Sequence, residues 1–308
     1  MEGKAGHMND QTDDDIAAVM RALGEAARGA AVSLAVASTD MKNAALTAGA
    51  ETIRASASEI LAANDKDMDT AQGRDLSAAL LDRLELDDAR VEGMAKGLEE
   101  VAALPDPVGA VMAQWSRPNG LEIARVRVPL GVIGIIYESR PNVTADAGGI
   151  CLKSGNAAIL RGGSESFHSS TAIASCLAQG LEQAGLPKGC IQLVPTRDRA
   201  AVGEMLTMTD CIDVIIPRGG RSLIERVSAE SRIPVIKHLD GNCHVYVHAG
   251  ADLDMARKVV LNAKMRRTGI CGAAETLLID EAILESHLPP ILNDLAGAGC
   301  EVRGDEKV

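Results

Sequence analysis

The chain has 308 residues, enough for one large or two medium domains, and 46% of them are hydrophobic, so a sizeable core can form. It carries a formal net charge of -12, and its aromatic residues are Trp115, Tyr137, Phe167 and Tyr246. Nucleic-acid binding needs clustered positive charge or aromatic stacking platforms, so that class is excluded and small-molecule chemistry is expected.

From Asp13 to about Ala103 the sequence is Ala-rich, charged and nearly free of proline. Apolar spacings such as Ile16-Val19-Met20-Leu23 and Ile53-Ala57-Ile60-Leu61 recur at helical intervals, predicting three or four amphipathic helices with breaks near Thr39, Asn64 and Gly73. Pro105 and Pro107 close this region. After Trp115, short apolar runs alternate with helix-length segments. Strands are predicted at Leu121–Val128, Gly131–Tyr137, Ala157–Leu160, Ile191–Val194, Val214–Ile216 and Pro234–Ile236. Helices are predicted at Val143–Lys153, Ser166–Ala184, Arg199–Met208 and Arg221–Ser231. Such alternation argues for a parallel sheet covered on both faces, with ligands at the carboxyl ends of the strands. A further unit follows: strand His244–Val247, helix Leu253–Lys264, strand Thr276–Ile279, a helix to Ala298 and a polar tail. The expected division is 1–240, helices and cofactor domain, and 241–308, an incomplete catalytic domain.

The seven cysteines, Cys151, Cys176, Cys190, Cys211, Cys243, Cys271 and Cys300, are odd in number and nowhere spaced as C-x-x-C. That pattern argues against a secreted disulfide framework and for a reducing cytosol. The N-terminus is acidic and lacks the basic start and apolar core of a signal peptide. The longest apolar run, around Val128 to Tyr137, is too short for a membrane span. A cytoplasmic protein is expected.

Cys271, in Lys264-Met-Arg-Arg-Thr-Gly-Ile-Cys-Gly, has candidate cations nearby in Lys264, Arg266 and Arg267, and flanking Gly269 and Gly272 give a substrate close backbone access. Such surroundings favour a nucleophilic thiolate, while a small buried cysteine is the bland alternative. Asn142 falls just beyond a strand end, where its amide can donate to an oxyanion or simply cap a helix. Two Gly-rich turns follow strands, Leu160-Arg-Gly-Gly-Ser-Glu and Ile216-Pro-Arg-Gly-Gly-Arg-Ser, and Arg161 and Arg218 could meet phosphates there. Neither matches G-x-G-x-x-G or a P-loop, and a plain strand-to-helix turn explains either alone. His244 and His248 share a strand face but lie about 13 Å apart at ~3.3 Å per residue, too far for one zinc ion, so no metal site is expected.

The stretch Val128-Pro-Leu-Gly-Val-Ile-Gly-Ile-Ile-Tyr-Glu-Ser-Arg-Pro-Asn-Val-Thr, with Cys151-Leu-Lys-Ser-Gly-Asn-Ala-Ala-Ile-Leu-Arg-Gly-Gly-Ser-Glu, resembles the most recognisable segments of the gamma-glutamyl phosphate reductases of the aldehyde dehydrogenase superfamily. The order continues through Ile215-Ile-Pro-Arg-Gly-Gly, Ile233-Pro-Val-Ile, Gly241-Asn-Cys-His-Val-Tyr-Val, Asn262-Ala-Lys and Cys271-Gly-Ala-Ala-Glu-Thr-Leu-Leu-Ile, covering the chain from about Ile16. The resemblance implies an α/β, aldehyde-dehydrogenase-like fold: N-terminal helices, a doubly wound parallel-sheet cofactor domain and a partial α/β catalytic domain. It implies NADPH-dependent reduction of L-glutamyl 5-phosphate to L-glutamate 5-semialdehyde, the second step of proline biosynthesis. Cys271 aligns with the nucleophile and Asn142 with the oxyanion donor. Arg161, Gly162, Gly163, Ser164 and Glu165 align with the loop at the cofactor ribose and 2′-phosphate. Pro217, Arg218, Gly219 and Gly220 align with the turn beside its pyrophosphate and nicotinamide side. Implied partners are glutamate 5-kinase and, at full length, further copies of the chain. The general-base glutamate of hydrolytic relatives has no counterpart in Lys237-His-Leu-Asp-Gly-Asn-Cys, which suits a reductase. Gly272 stands where the family often has asparagine. Family members also run well past Val308, so the chain reads as truncated. The alternative function is a catalytically inert nucleotide-binding remnant.

Overall fold

The computed structural model describes residues 7–73, 78–138, 140–238, 241–268 and 270–305. It divides into two compact units, Met1–Lys237 and His238–Val308. The first begins with α1 (His7–Ala35), α2 (Thr39–Ala55), α3 (Ala57–Gln72), α4 (Ala78–Leu84) and α5 (Asp88–Ala103). The expected breaks at Thr39 and Gly73 are real: Ser38 caps α2 through Met41 N–H, and Gly73 ends α3. The break expected at Asn64 is wrong, and the chain turns instead at Ser56, between α2 and α3. Asn64 is 2% exposed inside α3. Its amide donates to Leu84 O at 2.9 Å and Ser169 Oγ at 3.0 Å, and accepts from Leu86 N–H at 2.8 Å. A residue with weak helix propensity is held in the helix by partners that a loop would not supply.

A β-hairpin follows, β1 (Val111–Ser116) paired antiparallel with β2 (Glu122–Val126). The sequence reading found only the second strand. All six residues of β1 are exposed, so it lacks the in–out alternation that marks a half-buried strand.

Four strands, β3 (Val132–Tyr137), β4 (Ala157–Arg161), β5 (Ile191–Leu193) and β6 (Val214–Arg218), form a parallel sheet in the order β5-β4-β3-β6. They alternate with α6 (Val143–Lys153), α7 (Phe167–Gln183), α8 (Ala200–Met205) and α9 (Arg221–Glu230). The predicted strand at Pro234–Ile236 contributes one bridge, Ile215 to Val235, and α8 ends before the predicted Met208. Both sheet faces are covered, as expected. Ile133, Ile135, Tyr137, Ala158 and Leu160 pack into one core and Val132, Ile136, Ala157 and Ile159 into another, the period-2 division of a fully buried strand. Gly131 is required at the entry to β3: its φ is +122°, and a side chain there would collide with the Asp213 carboxylate. That carboxylate accepts Val132 N–H at 2.7 Å and the Arg28 guanidinium at 2.8 Å.

Asp106, in the proline-flanked connection after α5, anchors a buried polar cluster. It accepts from Lys42 Nζ at 2.5 Å, Thr39 Oγ1 at 2.8 Å and Val108 N–H at 3.0 Å. Burial pushes its carboxyl up, but the Lys42, Val108 and Thr39 bonds outweigh that and hold it below the usual carboxylate range.

The second unit has β7 (Cys243–Val247) parallel to β8 (Ala274–Ile279), with α10 (Leu253–Met265) and α11 (Leu284–Gly297). Its core contains Val247, Ala256, Val260, Ile291 and Leu295, and Arg257 of α10 grips Asp294 of α11 at 2.7 and 2.9 Å.

Candidate functional site

The sheet order places a topological switch between β3 and β6, because the chain leaves β3 toward β4 on one side and returns to β6 on the other. Doubly wound sheets bind ligands in the crevice outside the strand ends at such a point. Three of the predicted segments meet at these carboxyl ends.

At the end of β3, Tyr137 is 1% exposed and its Oη lies 2.6 Å from Thr144 Oγ1. Burial pushes its phenol upward, so it stays neutral. Asn142 stands at the N-terminus of α6, yet its side chain makes no cap hydrogen bond. Its amide nitrogen instead donates to Asp146 Oδ2 at 2.8 Å. Desolvation raises the Asp146 carboxyl, while the Asn142 bond and the field of Arg218 oppose it, which ties the start of α6 to the end of β6.

At the end of β6, Pro217 and Arg218 belong to the strand rather than to the predicted turn, and Gly219 and Gly220 lead into α9. Glu138, absent from the sequence-based site, occupies this turn and accepts Gly220 N–H at 2.7 Å. A Cβ on Gly219 would collide with that carboxylate. An anion thus already sits at a helix N-terminus, the donor arrangement that also receives phosphate. The acidic residue beside the strand end was visible in the sequence, but its partner lies 82 residues away.

At the end of β4, Arg161 is 8% exposed. Its terminal nitrogens donate to Gly162 O at 2.6 Å, Arg197 O at 3.1 Å and Asp198 O at 3.4 Å, while Nε is buried without a partner among the described residues. Burial draws the guanidinium below its ordinary range; Glu165 opposes this and Arg199 adds to it. Gly162 lies against Tyr137, since a Cβ there would be 3.1 Å from the phenolic oxygen. Ser164 and Glu165 form the single 3₁₀ turn leading into α7. Arg197 lies 4.8 Å from the Phe167 ring centre and 2.7 Å from His168 Nε2. Arg197 and Arg199 are the functional candidates the sequence reading missed here.

In the second unit, Cys271 is exposed on the turn that leads into β8. A hydrogen bond from Ala273 N–H to Ile270 O at 3.1 Å closes the turn. A Cβ on Gly241 would lie 2.6 Å from Cys271 O, and Cys243 Sγ donates to that oxygen at 3.2 Å. Gly272 opens onto space, and a Cβ there would meet no atom within 4 Å. Of the candidate cations, Lys264 is half-buried in the last turn of α10, and Arg266 and Arg267 are exposed. Gly269, Leu239 and Asp240 lie outside the described residues. A groove of about 810 Å³, lined by Leu277, Ile279, Leu284, Leu288, Leu295 and Val302 among others, runs beside β8 and α11 without including Cys271. Lys264, Glu275, Glu301 and Arg303 also line it, so its walls are mixed in character. Among the described residues no three His, Cys, Asp or Glu side chains gather as metal ligands would, and no helix is long and apolar enough to cross a membrane.

Comparison with known proteins places this architecture. Residues 3–298 match the aldehyde dehydrogenase family, whose members use a nicotinamide cofactor. A gamma-glutamyl phosphate reductase of Rhodospirillum rubrum is 64% identical over 303 residues, covering 97% of this chain and 71% of the relative. One from Paramagnetospirillum magneticum is 62% identical, covering 96% and 70%. The crystal structure of gamma-glutamyl phosphate reductase from Thermotoga maritima superposes with a TM-score of 0.86 at 43% identity, covering 94% of this chain and 70% of that one. The chain belongs to the gamma-glutamyl phosphate reductases of the aldehyde dehydrogenase family.

Proposed function

We propose that this chain reduces L-glutamyl 5-phosphate to L-glutamate 5-semialdehyde and phosphate with NADPH, through a thioester on Cys271. The observation that carries this reading is the 64% identity to a named gamma-glutamyl phosphate reductase over 97% of the chain. An exposed Cys271 on an open turn supports it.

The residues at the strand ends fit a dinucleotide: α9 already holds an anion at its N-terminus, and the Arg161 loop packs Gly162 against Tyr137. Gly219 and Gly220 would hold the pyrophosphate, and Gly162 to Glu165 the ribose. NADPH is proposed over NADH because Arg161, Arg197 and Arg199 surround that loop, where a 2′-phosphate would meet positive charge. When bound, the reduced nicotinamide supplies the hydride.

The Cys271 thiolate attacks the acyl carbon; the new S–C bond displaces the phosphate oxygen, and inorganic phosphate leaves. Asn142 is the proposed donor to the oxyanion. Asp146 holds one N–H of its amide and leaves the second to donate. Collapse of the thiohemiacetal that follows reduction returns the thiolate and releases the aldehyde. No glutamate stands at His238, where hydrolytic relatives activate water, so the thioester is spared for reduction. We assign cofactor binding to residues 1–240 and covalent chemistry to 241–308. A kinase that makes the labile acyl phosphate, glutamate 5-kinase, is the proposed supplier. Exposed Met112, Trp115 and Val126 on the hairpin offer surface for homo-oligomerisation.

The test is a reverse assay on the purified chain, following NADPH formation from glutamate semialdehyde, NADP and phosphate. Phosphate-dependent turnover is expected. Cofactor binding without turnover would favour the alternative, an inert nucleotide-binding member of the same family.

A further inference from the structure

We propose that Cys243 is a resolving cysteine for Cys271: a peroxide oxidises Cys271, and Cys243 closes a disulfide that blocks the nucleophile until a dithiol restores it. The proposal rests on Cys271 being the reactive thiolate.

The other cysteines are elsewhere. Cys151 and Cys190 are buried in the first unit, where burial pushes their thiols up to about 12 and about 11, out of reach of redox chemistry at neutral pH. Cys176 is buried there too, and Cys211 is partly so. Cys300 lies just past the end of α11, its thiol directed to Glu301 O at 3.6 Å. Cys243 alone makes a hydrogen bond to the Cys271 turn, with its sulfur 3.2 Å from the Cys271 carbonyl oxygen.

Strand geometry accounts for that contact. Cys243 opens β7 and is in register with Ala274, which opens β8 just after the Cys271 turn. Cys243 Sγ already touches the Cys271 backbone at 3.2 Å, and a disulfide needs Cα atoms about 4.4–6.8 Å apart, so rotation of the Cys271 side chain with a shift of its open turn can bring the sulfurs together. Pairing is irregular between Cys243 and His244, which loosens the ladder at this point. Gly241 brings the β7 approach so close that a Cβ would be 2.6 Å from Cys271 O. The turn also has room, because nothing lies within 4 Å of a Cβ at Gly272. Cys271 is exposed and Cys243 half-buried, so an oxidant reaches the first and is shielded from the second.

The chemistry balances. The Cys271 thiolate attacks one oxygen of hydrogen peroxide, the O–O bond breaks, and sulfenic acid and water form after proton uptake. Cys243 sulfur then attacks the sulfenic sulfur, the S–O bond breaks and a second water leaves. Two thiols are oxidised to one disulfide as one peroxide is reduced to two waters. In this state the sulfur cannot attack an acyl phosphate, and it is protected from further oxidation to sulfinic acid.

The test is peptide mapping by mass spectrometry, without reductant, of the full chain after about one equivalent of peroxide, with and without dimedone to trap sulfenic acid. The expected result is loss of the free Cys271 and Cys243 thiols one for one, a peptide linking them, and its disappearance with dithiothreitol. In Cys243→Ser, and in Cys243→Ala as a check on folding, dimedone should label Cys271 instead. Dimedone-labelled Cys271 in the wild type without a linked peptide would overturn the proposal while leaving Cys271 reactive. Linkage of Cys271 to Cys300 would overturn it as well. Unoxidised Cys271 in every protein would sink both the disulfide and the reading of Cys271 as nucleophile.

Discussion

The Glu138 carboxylate, just past the end of β3, accepts the backbone N–H of Gly220 at 2.7 Å and so caps α9, the helix after β6. One acidic side chain at the switch point of the sheet occupies a donor that we assign to the dinucleotide's pyrophosphate. Removing the charge weakens that hold, because an amide oxygen accepts the Gly220 N–H less strongly than a carboxylate does. Glu138→Gln is therefore expected to tighten NADPH binding roughly two- to five-fold, equivalent to the ~0.3–1 kcal/mol that a charge contributes at a helix end. Calorimetric titration of the variant reads this directly. Weaker binding would mean that the carboxylate itself grips the cofactor.

Asn142 offers a separation of catalysis from folding. Its side chain makes no cap hydrogen bond and its bond to Asp146 is exposed, so Asn142→Ala should cost no more than about 1 kcal/mol of stability. Loss of an oxyanion donor costs about 10²–10³ in kcat, and that is the expected fall in the reverse assay. A large stability loss with unaltered kcat in the surviving enzyme would assign Asn142 to structure alone.

Cys271→Ser is expected to abolish turnover and leave NADPH binding intact, since the exposed thiol carries no packing role. Unchanged turnover in this variant would remove Cys271 as the nucleophile.

The Lys42–Asp106 pair is the stability counterpart. Lys42 is 1% exposed and Asp106 12%, so Lys42→Met strands a buried carboxylate and should cost about 3 kcal/mol in chemical denaturation. The Asp106 carboxyl is held below its usual range, so the pair's contribution is full above the unfolded value of ~3.9 and is lost as pH falls through the lower folded value. The difference between wild type and variant should accordingly shrink below about pH 4, as read from denaturation midpoints across pH. A gap that stays constant to lower pH would show that Lys42 acts through packing rather than charge.

Local patterns in the sequence determined the helices and the sheet strands, because periods of 3.6 and 2 record which side of each element is buried. Val143–Lys153 was legible to the residue for that reason, and the two Gly-rich turns were legible at the strand ends, though Arg161, Pro217 and Arg218 close their strands. Specific motifs likewise determined the family. What the tertiary structure alone decided are relationships between distant segments. Asn64 reads locally as a break, yet Ser169, 105 residues on, helps hold it inside a helix. Strand β1 has no buried face to imprint a pattern and exists through its hydrogen bonds to β2. Glu138 at Gly220, Arg161 on the 197–198 carbonyls and Cys243 beside the Cys271 turn each pair groups from different elements. A local window records burial and backbone preference, but a hydrogen bond across the fold leaves no periodicity behind, so these partners became visible only when the strands were set side by side.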